Sequence, residues 1–172
     1  CADAQAAGFN EAYGMTIAES HLYLATINSG DEDFKITHCS IGADGTVSGC
    51  SDAGQTGYFP TGLIARGSTL YIGDAQDPLV RMCQIQADGS LNGCDDAQLP
   101  AALATDAKDI RLVGTTVYIL HTDDNAVSKC TVLSDGSFAS CANAGITGLD
   151  GPMGLTINGG HMYIANRWSN SI

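Results

Sequence analysis

Positive charge is what this chain has least of. Its 7 Lys and Arg stand against 19 Asp and Glu in 172 residues, a formal net charge of −12. Phosphate backbones and anionic bilayers repel such a surface, so no nucleic-acid partner is expected. Long apolar runs are missing as well. No stretch reaches the roughly 18 consecutive apolar residues of a membrane span, and the opening residues lack the basic-then-apolar order of a signal peptide. No membrane span is expected, and the chain reads as mature or excerpted. Gly-x-Ser-x-Gly, P-loop and His-Glu-x-x-His patterns do not occur, and neither does Cys-x-x-Cys. Neither a catalytic constellation nor a cofactor is therefore expected. Disorder is excluded too, because only 15% of residues are charged while 44% are hydrophobic, the balance of a chain that buries a core.

What is present is repetition. Tyr followed by an aliphatic residue recurs as Tyr23-Leu24, Tyr71-Ile72, Tyr118-Ile119 and Tyr163-Ile164, at intervals of 48, 47 and 45 residues. Each apolar run is short, rich in Val, Ile, Leu, Thr and Tyr, and bounded by Gly, Asp, Asn or Ser, which predicts strands rather than helices. In the second copy the strands fall near 62–65, 69–73, 79–86 and 90–94. Four consecutive antiparallel strands in a repeat of about 45 residues have the size of a β-propeller blade. A parallel β-helix would need shorter rungs, and a leucine-rich solenoid its Leu/Asn ladder. The expectation is an all-β chain: a β-propeller built of four-stranded antiparallel blades, about four repeats visible, forming part of a larger ring or repeat array. It is read as one repeat region over 1–172, with repeats at 1–50, 51–94, 95–141 and 142–172, the first starting and the last ending mid-blade.

The segment from Tyr163 through Asn166 and Trp168 to Asn170, preceded by Pro152-Met153-Gly154-Leu155-Thr156-Ile157, resembles the YVTN and NHL-like propeller repeats of secreted bacterial proteins. That resemblance implies an architecture. Its members include lactonase-like enzymes and many non-catalytic surface proteins. The third repeat departs from the pattern, with Lys108-Asp109-Ile110-Arg111 where the others carry Gly and an apolar or hydroxyl residue.

Cysteine supplies the clearest chemistry. Cys39/Cys50, Cys83/Cys94 and Cys130/Cys141 are each 11 residues apart, and Asp-Gly sits at every midpoint, as Asp44-Gly45, Asp88-Gly89 and Asp135-Gly136. Asp-Gly favours tight hairpins because Gly accepts positive φ. A two- or four-residue loop then sets the two cysteines opposite each other, at about 4.5 or 5.5 Å between Cα atoms, within reach of a disulfide. Buried free thiols and zinc ligation are the weaker alternatives, since each hairpin offers only two sulfurs, with His38 the one imidazole beside them. Each bridge would close a loop of about 12 residues and stabilise by about 3 kcal/mol on a chain-entropy argument. Disulfides persist outside the cytosol, so the expected location is secreted, extracellular or cell-surface, with the periplasm an alternative. Cys1 is left over. Cys1-Ala2-Asp3-Ala4-Gln5 matches Cys94-Asp95-Asp96-Ala97-Gln98, so its partner is expected outside the chain.

Other candidates are weaker. Alignment on the repeat Tyr puts Thr16, Ile64, Arg111 and Thr156 in register on the innermost strands, less buried than their apolar neighbours. Asp109 and Arg111 then form a charge pair at the central channel, with a local ion pair the plainer reading. Acidic clusters at Asp31-Glu32-Asp33, at Asp74 with Asp77, and at Asp123-Asp124 read as a solvated rim rather than calcium loops. His21 and His161 occupy equivalent positions before the Tyr. Trp168 is a candidate for stacking on a sugar or a partner, or for burial between blades. The function expected is a non-catalytic secreted or cell-surface module acting in structural assembly or protein interaction, its partners other protein subunits or more copies of the same repeat, with glycans as a further class. A lactonase-like enzyme and a carbohydrate-binding propeller are the alternatives.

Overall fold

The computed structural model describes residues 11–28, 33–56, 59–103 and 105–172. Cys1, Asp31 and Glu32 lie outside them. The described residues form strands and turns with no helix. The first sheet runs β1 (Glu11–Ala18), β2 (His21–Asn28), β3 (Asp33–Ile41) and β4 (Val47–Thr56). A second contains β5 (Pro60–Arg66), β6 (Thr69–Asp74), β7 (Val80–Ile85) and β8 (Leu91–Asp96). A third contains β9 (Asp109–Val113), β10 (Thr116–His121), β11 (Ala126–Val132) and β12 (Phe138–Asn143). The last pairs β13 (Pro152–Asn158) with β14 (His161–Asn166). Every pairing is antiparallel between consecutive strands, the topology of a propeller blade.

The Asp-Gly hairpins close differently from either loop length expected. The amide of Gly42 donates to Thr46 O and the amide of Gly45 to Gly42 O, which makes a three-residue loop with Gly45 in the left-handed region at φ 83°. On its own, that loop sets Ser40 opposite Ser48 and leaves the cysteines one residue out of register. A bulge at Gly49 (φ 60°) restores the pairing, so that His38 faces Ser51 and Cys39 faces Cys50. The same device recurs at Gly93 (φ 53°) and at Ser140 (φ 50°). Disulfides Cys39–Cys50, Cys83–Cys94 and Cys130–Cys141 bridge β3 to β4, β7 to β8 and β11 to β12, with Cα atoms 4.0, 4.0 and 4.1 Å apart. They are closer than the expected 4.5 or 5.5 Å.

Alternation along the second strand of each sheet gives it two distinct faces. Leu70 and Ile72 pack back with Tyr23, Ala25 and Ile36 of the first sheet, together with Leu63. On the opposite face Tyr71 packs forward with Ile110, Val117 and Ile119 of the third. Leu155 and Ile164 repeat the backward contact against Leu120 and Val127. Three apolar cores therefore lie between sheets, and the innermost strands β1, β5, β9 and β13 neighbour one another in order. The approach leaves little room for side chains: a Cβ on Gly14 would collide with the Thr61 carbonyl, and one on Gly62 would be crowded at 3.1 Å from Asp109 Cα.

Candidate functional site

Polar contacts join neighbouring sheets at both the outer and the inner ends of the blades. At the outer end, the Tyr23 hydroxyl donates to Gly89 O at 2.9 Å and the Tyr71 hydroxyl to Gly136 O at 2.8 Å. The Tyr of the first two repeats thus reaches the Asp-Gly turn of the following sheet. Burial raises both phenols, Tyr23 to about 12, with Glu19 and Asp88 adding repulsion for its anion. The turns are held rigid for this role. Asp44, Asp88 and Asp135 each accept the amide and the hydroxyl of the residue two further on, at 3.0 Å and at 2.7, 2.6 and 2.7 Å. These bonds hold all three carboxyls below the usual range. Tyr71, buried with its hydroxyl engaged, offers no stacking platform in the groove beside it.

At the inner end, Asp109 stands where the other sheets carry Gly14, Gly62 and Gly154. Its Oδ1 accepts the Arg111 guanidinium at 2.6 Å and the Ile110 amide at 2.9 Å. Its Oδ2 accepts the Leu155 amide from the next sheet at 2.8 Å. The pair is therefore a link between sheets as well as a local ion pair. Burial raises the Asp109 carboxyl against the lowering effect of those donors. Arg111 and Lys108, whose ammonium lies 5.2 Å from the Phe59 ring centre, border a recess of about 310 Å³ together with Tyr13, Thr61 and Met153. Two of the chain's seven cations thus border one recess.

The expected alternation holds at Leu63, Ile110 and Leu155, which are buried while Ile64, Arg111 and Thr156 are less so. It reverses in the first sheet. Met15 is 65% and Ile17 62% exposed, because this face of β1 is the one that packs backward in the other sheets, and no other sheet among the described residues covers it. At the opposite end Tyr163 is 49% exposed. Trp168 is 58% exposed and lies over Gly151, so it is a surface residue at the last sheet and not a side chain between blades.

Two features were hidden in the sequence. Asp74, assigned above to a solvated rim, is buried, and its carboxylate accepts the amides of Phe59, Gln76 and Asp77 at 2.8 to 2.9 Å. Asp77 in turn pairs with Arg81 at 2.9 Å. His38 is buried, bonds Ser51 Oγ through Nε2 at 2.8 Å and packs 5.9 Å from His21, ring centre to ring centre. Its Nδ1 has no hydrogen-bond partner among the described residues and faces Gly89. Burial, then His21, lowers its basicity. His161 is exposed at the far end and does not join this pair. Among the described residues no three His, Cys, Asp or Glu side chains are grouped to hold a metal, and no helix is long and apolar enough to cross a membrane.

Sheets of this topology, stacked face to face around neighbouring inner strands, define a β-propeller. Comparison with known proteins agrees on the fold. No family model matches the sequence, and no curated protein does. Solved structures do. A provisionally named 6-phosphogluconolactonase from Bacteroides uniformis superimposes with a TM-score of 0.68 at 14% identity, over 94% of this chain and 52% of its own. The periplasmic gluconolactonase PpgL of Pseudomonas aeruginosa gives 0.60 at 17% identity, over 90% and 47%. A chain of a nidogen/laminin complex gives 0.55 at 15% identity, over 78% and 48%. The protein spans about half the length of these propellers.

Proposed function

We propose that this chain is a non-catalytic propeller module of an extracytoplasmic protein, and that its task is assembly: it binds further protein through the apolar faces of its first and last sheets. Its repeat grammar is of the YVTN/NHL kind. One observation carries the reading. The positions that seal the internal joints, Leu63, Ile110 and Tyr71, are buried, while their counterparts Met15 and Tyr163 are exposed. Apolar strand faces left open in this way mark interaction sites. Three disulfides support a location outside the reducing cytosol. Photo-crosslinking from a benzophenone side chain placed at Ile17 or Tyr163, in the native source, tests the reading. Adducts to protein outside these 172 residues are expected, and internal adducts alone would contradict it.

A second reading rests on the channel recess. Lys108, Arg111 and the buried Asp109 set cations beside a carboxyl inclined to keep its proton, and two of the structural neighbours are named for lactones. Hydrolysis of a lactone panel that is abolished by Arg111→Ala would establish it. Equal rates for both proteins would remove it.

A further inference from the structure

The two internal joints share one frame, a Tyr hydroxyl on the Gly carbonyl of the next turn, and differ in what stands beside it. In the first joint the His21 and His38 rings lie over Gly89, and a Cβ on that glycine would strike both. In the second, Thr69 and Met82 take those two places, and a Cβ on Gly136 would have its closest neighbours at 3.3 Å in Tyr71 Oη and 3.4 Å in Met82 Sδ. Beside them a polar recess of about 440 Å³ runs between the second and third sheets. Its two walls change together. Arg66 and Gly67 on the second sheet stand where the first carries Ala18 and Glu19, and Ser134 on the third stands where the second carries Ala87. One exchange supplies a guanidinium, one removes a carboxylate, and one adds a hydroxyl. Arg66 is half-buried, faces the Tyr71 phenol and donates through Nη1 to Leu133 O at 3.2 Å. Among the described residues it pairs with no carboxylate, so most of its five N–H donors remain for a ligand. On the other wall Asp135 accepts the Ser137 amide and hydroxyl through Oδ1 and offers Oδ2 as a further acceptor.

We propose that this groove binds a sugar unit bearing a single carboxylate, a uronic acid residue of a polysaccharide, with its carboxylate on Arg66 and its ring hydroxyls on Asp135, Ser134 and Gln84. The guanidinium fork matches a carboxylate with two parallel bonds. Sugar hydroxyls both donate and accept, and the recess sets the donors of Arg66 and Gln84 against the acceptor of Asp135. Its volume lies within the range of small-molecule sites. Tyr71 is buried, so hydrogen bonds rather than stacking hold the ring. The net charge of −12 repels densely charged polyanions, which favours a polysaccharide with sparse carboxylates. Binding here leaves the end sheets free, so it neither needs nor excludes assembly through them.

Titration of the isotope-labelled chain with glucuronate, glucose and acetate, followed by amide chemical shifts, tests this. With glucuronate, saturable shifts are expected at Gly67 to Thr69 and at Ser134 to Gly136, with a dissociation constant of about 1 mM, while amides beside Tyr23 and Gly89 stay unmoved. Glucose lacks the carboxylate and acetate lacks the hydroxyls, so each is expected to bind at least about tenfold more weakly. Arg66→Gln keeps an amide donor without the charge and is expected to weaken glucuronate binding at least about tenfold. Should that variant lose its native spectrum, Ser134→Ala, at an exposed position, replaces it; a loss of about threefold is expected, and an unchanged affinity would overturn the inference. Acetate binding as tightly as glucuronate would assign the groove to the carboxylate of an acidic peptide and overturn the sugar. Unmoved amides at both walls would also overturn it, and either result would leave the assembly reading standing.

Discussion

The hydroxyl of Tyr71 donates to the carbonyl of Gly136, 65 residues later in the chain, at 2.8 Å. Tyr23 makes the same bond to Gly89. A side chain in the second strand of one sheet thus fixes the outer hairpin of the next, which accounts for Tyr at this place in the first two repeats. Tyr71→Phe keeps the ring and its packing on Phe138 but leaves a buried carbonyl unpaired. The expected cost is about 1–3 kcal/mol, read as a fall in the urea midpoint with an unchanged slope. A midpoint equal to that of the wild type would show the bond to be incidental.

The same phenols give an alkaline signature. Tyr23 keeps its proton in the folded state up to about 12, against 10.0 for an ordinary tyrosine. The unfolded chain therefore releases that proton first, and stability falls as pH rises from 10 to 12. Ultraviolet titration is expected to show the buried phenols of Tyr23 and Tyr71 ionising only above the ordinary tyrosine range, together with loss of the fold.

Acid acts through histidine. His38 and His121 have folded values below the usual 6.5, chiefly through burial, and His121 is enclosed by Thr105, Asp106 and Ser128. The unfolded state therefore takes up protons first, and this part of the stability is lost as pH falls below 6.5. Asp106 and Asp109 work in the opposite sense, because burial raises their carboxyls and their protonated forms favour the fold as pH falls towards the carboxylate range. A urea midpoint that declines from pH 7 to pH 5.5 checks the histidine effect; a flat profile would contradict it.

Ser140 occupies the bulge position that Gly49 and Gly93 fill elsewhere, at φ 50°. A left-handed conformation costs an L-residue about 1–2 kcal/mol relative to glycine, partly offset by the greater freedom of glycine in the unfolded chain. Ser140→Gly is expected to raise stability by up to about 1 kcal/mol. Gly49→Ser and Gly93→Ser are expected to lower it by a similar amount.

Asp109→Ala removes the acceptor for the Leu155 amide and for Arg111 together. A loss of about 2–3 kcal/mol is expected, with hydrogen exchange accelerated at the Leu155 amide. Asp109→Asn keeps an acceptor for that amide and is expected to recover part of the loss.

Local signals made much of this legible. Interval and turn chemistry disclosed the repeating hairpins, and the centred Asp-Gly pairs placed Cys39, Cys83 and Cys130 opposite their partners. The bulge was missed because Gly49 and Gly93 look like ordinary turn residues and Ser140 breaks their identity. Asp109 was read as a local charge because Leu155, which it holds, lies 46 residues on. Asp74 resembled its solvated neighbours until the Phe59 segment folded over it. In each case the partner is fixed by how sheets stack, which no short window of sequence records.

Oxidative footprinting of Met15 and Tyr163, in native material and in the dilute purified chain, most directly tests whether the end sheets are assembly faces. Both side chains are expected to be oxidised readily in the isolated chain and protected in the native material, with Tyr71 protected in both. Equal oxidation of Met15 and Tyr163 in the two samples would contradict the account.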